Sequence, residues 1–148
     1  MPPPLFRFAG RALDGYRLLV AEDDVLTADA LCATIRDAGG EVVGPTGSLA
    51  DAVRLATCEP IDCAIVDMGL DGGQATPLVD LLLSEAVPII LATAAERDEL
   101  PRAYWRLHLL RKPYSPATLV DCAMLALGDG GLIAPGQIRP ASGLDGSA

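Results

Sequence analysis

Short apolar runs recur along this chain, and the residue that follows each one tends to carry a charge or a hydroxyl. Tyr16–Ala21 leads into Glu22-Asp23-Asp24, Cys63–Val66 into Asp67, Val87–Ala92 into Thr93, and Leu107–Leu110 into Arg111-Lys112-Pro113. Runs this short and this continuously apolar are what parallel strands look like when both faces of the sheet are covered. A chain built from such strands has few options, because parallel neighbours need crossover connections on the faces of the sheet. The sequence between the runs therefore has to supply helices.

It does so with helical spacing and recognisable ends. Val25–Ala38 places Leu26, Ala30, Leu31, Thr34 and Ile35 on a helical repeat, and Gly39-Gly40 stops it. Glu41–Gly44 is a short second strand. Ser48, with Asp51 three residues on, is an N-cap opening a helix whose stripe is Ala52, Val53, Leu55 and Ala56. Asp62–Val66 is the third strand, Thr76–Glu85 the third helix, Pro88–Ala92 the fourth strand and Leu107–Arg111 the fifth. Between the last two strands, Ala94–Arg106 is interrupted by Pro101, so any helix there is short or distorted. Ser115-Pro116 caps a final helix through Leu119–Leu127, ended by Gly128. Five strands alternating with five helices predict a doubly wound α/β sandwich. Right-handed crossovers with a switch in strand order would set the ends of the first and third strands side by side.

At 148 residues and 51% apolar content the chain suits one domain with a sizeable core. Residues 15–127 form that domain in this reading. Residues 1–14, with three prolines and both phenylalanines, are an N-terminal extension, and residues 128–148 are a flexible Gly/Pro-rich tail. Neither flank is long enough for an output domain. The formal net charge of -9 argues against duplex DNA and anionic membranes as partners. The N-terminus lacks a secretory core and no run reaches membrane-spanning length, so a cytoplasmic protein is expected. Cys32, Cys58, Cys63 and Cys122 lack metal-like pairing and read as buried reduced thiols.

Carboxylates brought together at buried strand ends must bind a cation or change protonation. A lysine and a hydroxyl in the same crevice complete a site suited to a phosphoryl group. Blander readings exist for each residue: Asp24 as a helix cap, Asp67 as a turn residue before Gly72-Gly73, Lys112 as a solvated charge. His108 lies within a strand, away from the acids, and reads as structural.

The segments Leu18-Leu-Val-Ala-Glu-Asp-Asp, Ala64-Ile-Val-Asp67-Met, Ile90-Leu-Ala-Thr93 and Leu110-Arg-Lys112-Pro113 resemble the receiver domain of two-component response regulators, from about Tyr16 to Leu127. The resemblance implies a (βα)5 flavodoxin-like sandwich with a five-stranded parallel sheet in the order 2-1-3-4-5. It implies Asp67 as phosphoacceptor, with Thr93 and Lys112 as its catalytic partners. It implies Mg²⁺ held by Glu22, Asp23, Asp67 and the Gly69 carbonyl, and a cis peptide before Pro113. The implied partners are a histidine kinase or phosphotransfer protein and a downstream protein, with homodimerisation left open. The chain is expected to act as a stand-alone signalling protein, by protein contact or as a phosphate sink or shuttle, and not as an enzyme in the ordinary sense.

Some positions depart from the family pattern. Leu109 stands where switching receivers usually carry an aromatic ring, and Thr93 is followed by Ala94-Ala95. The Asp67–Gly73 stretch and Arg111-Lys-Pro-Tyr are similar to stand-alone receivers of bacterial stress signalling, without that group's glycine and aromatic after the threonine. Leu109, Ala95 and the shortened fourth helix support a rival reading, a degenerate receiver that docks partners without being phosphorylated, against which stands the complete acid-threonine-lysine set. A haloacid-dehalogenase-type phosphatase needs Asp-x-Asp after a strand, which Asp67-Met-Gly does not supply. Gly69 and Ala95, lacking polar side chains, predict slow self-dephosphorylation. The short segment up to Arg106 is expected to be the most mobile part of the core.

Overall fold

The computed structural model describes residues 11–129. The expectations for residues 1–10 and 130–148 lie outside the described residues. Five parallel strands form one sheet: β1 (Arg17–Ala21), β2 (Glu41–Thr46), β3 (Cys63–Asp67), β4 (Ile89–Thr93) and β5 (His108–Arg111), in the spatial order β2-β1-β3-β4-β5. The helices are α1 (Val25–Asp37), α2 (Leu49–Cys58), α3 (Thr76–Ser84) and α4 (Pro116–Asp129). The predicted doubly wound sheet and its strand order are present.

Burial on both faces follows from the apolar runs. In β1, Leu18 and Val20 face one side of the sheet while Leu19 and Ala21 face the other, as a period of two demands, and all are buried. The first set joins Leu31 and Ile35 of α1 with Leu119 and Ala123 of α4. The second joins Ala52 of α2 with Leu78, Val79 and Leu82 of α3. Helices thus cover each face in pairs. Leu13 is wholly buried in the first cluster, and its N–H donates to the Ala38 carbonyl at 2.9 Å.

Helix starts follow the caps read from sequence. The Asp24 carboxylate accepts the Thr27 N–H at 2.9 Å at the start of α1, and Ser48 accepts the Asp51 N–H at 3.2 Å at the start of α2. Just past α1, Gly39 takes φ +93°, a left-handed conformation suited to glycine.

Three details differ from expectation. The second strand runs on to Thr46 through Pro45, because β2 is an edge strand and loses no ladder bond to the missing N–H. Helix α4 passes through Gly128 to Asp129, so Gly128 does not end it. No α-helix forms between β4 and β5. Two 3₁₀ turns, Arg97–Glu99 and Arg102–Tyr104, flank Pro101 instead. Leu100, immediately before the proline, is forced into extended backbone at ψ 158°, which divides the segment into two pieces too short for an α-helix.

Of the cysteines, Cys32 and Cys63 are buried and Cys122 is half-buried, but Cys58 is exposed, contrary to expectation. It is the last residue of α2, where the helix ends at the surface. Burial pushes the Cys63 thiol far above its ordinary range. Among the described residues no helix is long and apolar enough to cross a membrane.

Candidate functional site

The carboxyl ends of β1 and β3 lie side by side, with Ala21 paired to Val66, and the acids begin immediately beyond. Glu22 follows β1 and is buried, 3% exposed, with its N–H on the Thr46 carbonyl at 2.9 Å. Its Oε2 accepts the Asp24 N–H at 3.1 Å and its Oε1 accepts Lys112 Nζ at 3.1 Å. Asp67, the last residue of β3, accepts Lys112 Nζ at 2.9 Å on Oδ2 and the Gly69 N–H at 3.1 Å on Oδ1. The exposed Asp23 completes the group: one carboxylate oxygen from each of Glu22, Asp23 and Asp67 lies within 4.8 Å of the others. Asp24 is turned to the cap of α1 instead.

Thr93 and Lys112 arrive from the next two strands. Asp67 pairs with Ala92 in β4, so Thr93 stands one residue beyond that level. The Lys112 N–H donates to the Thr93 carbonyl at 2.9 Å, and the Lys112-Pro113 peptide is cis. The Thr93 hydroxyl accepts the Ala95 N–H at 3.0 Å. Gly69 sits at the rim in a two-residue strand paired with Gly73–Gln74, tied to Asp67 through its amide. The residues singled out from sequence are thus gathered at one end of the sheet, apart from His108, which lies within β5. Leu109 is half-buried against the second core cluster.

The charges here depend on one another. Desolvation raises the Glu22 carboxyl above its ordinary value, aided by the nearby Asp67, while the Asp24 N–H and Lys112 pull the other way. Burial alone would depress the Lys112 ammonium, yet its hydrogen bonds to Asp67 and Glu22 outweigh that and raise it. Three converging acids with a single ammonium leave excess negative charge, and all the donors are hard oxygens. That donor set fits a divalent hard cation such as Mg²⁺ or Ca²⁺ and does not suit a thiophilic metal.

Two features escaped the sequence reading. Gly47 lies against Asp23, and a parallel bridge joins Ser48 to Asp71 in the loop after Asp67. A glycine before an N-cap serine is the sole signal for the first, and nothing local signals the second. Arg111 makes a bidentate pair with Glu96, at 3.1 and 2.8 Å, and so links the residue before Lys112 to the segment after Thr93.

No family model matches the chain. It is 31% identical over 115 residues to the transcriptional regulatory protein PdtaR of Mycobacterium tuberculosis (strain ATCC 25618 / H37Rv). That alignment covers 75% of this chain and 56% of PdtaR, so the chain spans about half the length of the curated relative. Among solved structures it is similar to SdrG from Sphingomonas melonis Fr1, with a TM-score of 0.67 and 27% identity over 78% of this chain and 97% of that one. The response regulator PhyR from Brucella abortus superposes with a TM-score of 0.70 at 24% identity, over 85% of this chain and 53% of that one. The chemotaxis response regulator CheY4 of Vibrio cholerae gives 0.68 at 21%, over 76% and 98%. The last two likenesses concern the fold alone. Joined to the sheet order and to what gathers at its carboxyl end, these findings show a receiver domain like those of response regulators.

Proposed function

We propose that this protein receives a phosphoryl group on Asp67 from a phosphohistidine of a histidine kinase or phosphotransfer protein. It then signals in the cytoplasm through contact with a downstream protein. The observation that carries this reading is the Asp67 carboxylate itself. It ends a buried strand, is held by Lys112 Nζ at 2.9 Å, and has Glu22 and Asp23 oxygens within 4.8 Å.

In the transfer, an Asp67 oxygen attacks phosphorus while the phosphorus–nitrogen bond to the donor imidazole breaks, its electron pair returning to the ring nitrogen. The product is an acyl phosphate. Glu22, Asp23 and Asp67, with the Gly69 carbonyl, would hold Mg²⁺, which supplies charge neutralisation on the phosphoryl oxygens when bound. Lys112 already donates to Asp67 and needs only a small shift to donate to a phosphoryl oxygen. The Thr93 hydroxyl accepts from Ala95 and keeps its own proton to donate to another. The apolar strands below exclude water from one side of the site, which strengthens each of these interactions.

Incubation with a small phosphodonor, with and without Mg²⁺, tests the reading. Mg²⁺-dependent labelling that chelation abolishes is expected. A chain that takes no label under conditions that label other receivers would instead be a phosphorylation-independent docking module.

A further inference from the structure

Gly47 stands where the loop between β2 and α2 passes the acidic pair. A Cβ added there would meet the Asp23 Cα at 2.8 Å, the Asp23 Cβ at 3.2 Å and the Glu22 carbonyl oxygen at 3.3 Å. Its φ is not left-handed, so the requirement is for space and not for backbone freedom. The nearest contact is with a backbone carbon, which cannot swing aside as a side-chain tip can. Either Asp23 or the loop would have to move.

Main-chain bonds hold the loop on both sides, to the acidic pair and to the segment after Asp67. Glu22 N–H donates to the Thr46 carbonyl at 2.9 Å, Asp71 N–H to the Gly47 carbonyl at 2.8 Å, and Leu49 N–H to the Asp71 carbonyl at 2.9 Å. Asp71 belongs to the loop that follows Asp67, and Ser48 bridges to it in parallel. The loop carrying Gly47 is therefore a strap: one side rests on Asp23, and the other is bonded to the segment leaving the acceptor.

We infer that Gly47 is a positioning residue for the cation. Its missing side chain lets Asp23 stand close enough to Glu22 and Asp67 for the three to share one ion, and the strap joins that placement to the acceptor loop. This rests on the cation-binding part of the proposed function.

Calorimetric Mg²⁺ titration of the full chain tests it, as wild type, Gly47→Ala, Asp23→Asn and the double variant. Gly47→Ala should weaken Mg²⁺ binding by about tenfold or more, in the range seen when residues supporting a ligand are changed. In the Asp23→Asn background the same change should have little further effect, because the ligand it positions is already gone. Equal losses in both backgrounds, or no loss in either, would overturn the inference while leaving the cation site standing. Wild type that takes no Mg²⁺ would overturn both. Should Gly47→Ala not fold, amide exchange on wild type decides: Mg²⁺ should slow exchange at Leu49 and Asp71, whose N–H groups hold the strap. Unchanged exchange there, with Asp23 and Asp67 amides responding, would contradict the strap.

Discussion

Asp23 and Asp24 are adjacent in sequence and face different tasks. Asp24 caps α1, and its hydrogen bonds to Thr27 hold its carboxyl below the usual range. Asp24→Ala should therefore lower the thermal midpoint by a few degrees and leave Mg²⁺ affinity nearly unchanged. Asp23→Ala should do the reverse, and equal losses of affinity at both positions would show that the wrong acid has been assigned. Glu22 gives a pH signature. Its raised carboxyl keeps a proton in the folded state at a pH where the unfolded chain has lost it, so metal-free stability falls as pH rises through that window. A bound cation must expel the same proton. Mg²⁺ affinity should accordingly begin to fall on acidification above the ordinary carboxylate range, and Glu22→Gln should remove that early component. Affinity that stays flat until the ordinary range would contradict it. Gly69 and Ala95 offer no side-chain hydrogen bond to orient a hydrolytic water, so the acyl phosphate should decay slowly without a phosphatase. Decay as fast as in chemotaxis-type receivers, followed by loss of label, would contradict this. Glu22, Asp67, Thr93 and Lys112 drew attention in sequence because the first three directly follow apolar runs and Lys112 follows one after Arg111. Gly47 did not, because a loop from a different strand passes so near Asp23 that a Cβ added at Gly47 would lie 2.8 Å from the Asp23 Cα.

The connection between β4 and β5 shows what an element can do without regular structure. Glu96 and Glu99 cap one another's turn, with the Glu96 N–H on the Glu99 carboxylate at 2.6 Å, and Arg97 donates to the carbonyls of Trp105 and Leu107. Trp105 Nε1 donates to the Leu100 carbonyl at 3.0 Å under a stacked Arg102 guanidinium, 4.7 Å from the ring centroid. Tyr104 anchors the segment, buried at 3% exposure with its hydroxyl on Asp80 Oδ1 at 3.0 Å. Tyr104→Phe should cost about 1 kcal/mol, the worth of one hydrogen bond, and Tyr104→Ala about 3–5 kcal/mol from the cavity, both read from denaturant unfolding. The segment opens at Ala95, whose N–H holds the Thr93 hydroxyl, so a threonine drawn towards a phosphoryl group would loosen its first link. Phosphorylation should then change Trp105 fluorescence and amide exchange across residues 94–106. A response confined to α4 would contradict this route. Pro101 was enough to foresee a broken helix here. The tethers that replace it join residues whose partnership depends on how the turns fold, and no local pattern announces them.

For the molecule as a whole, covering both faces of one sheet leaves its carboxyl edge as the place where polar residues can meet. Leu18 and Val20 bind the sheet to α1 and α4 while Leu19 and Ala21 bind it to α2 and α3, so β1 carries Glu22 and Asp23 out of a core fixed from both sides. The same geometry holds for β3 and Asp67, and it is why apolar runs followed by polar residues foretold the fold and the end of the sheet at which those residues gather. The excess of acid at that edge, in a chain of net charge -9, is a cost in the metal-free state and an attraction for a divalent ion. The central claim is that the group accepting phosphate there is Asp67. Wild type and Asp67→Asn can be treated with a small phosphodonor and Mg²⁺, any acyl phosphate reduced with borohydride, and the altered residue located by peptide mass spectrometry. The account predicts modification at Asp67 in wild type and none in the variant. Modification at another carboxylate, or full labelling of Asp67→Asn, would contradict it.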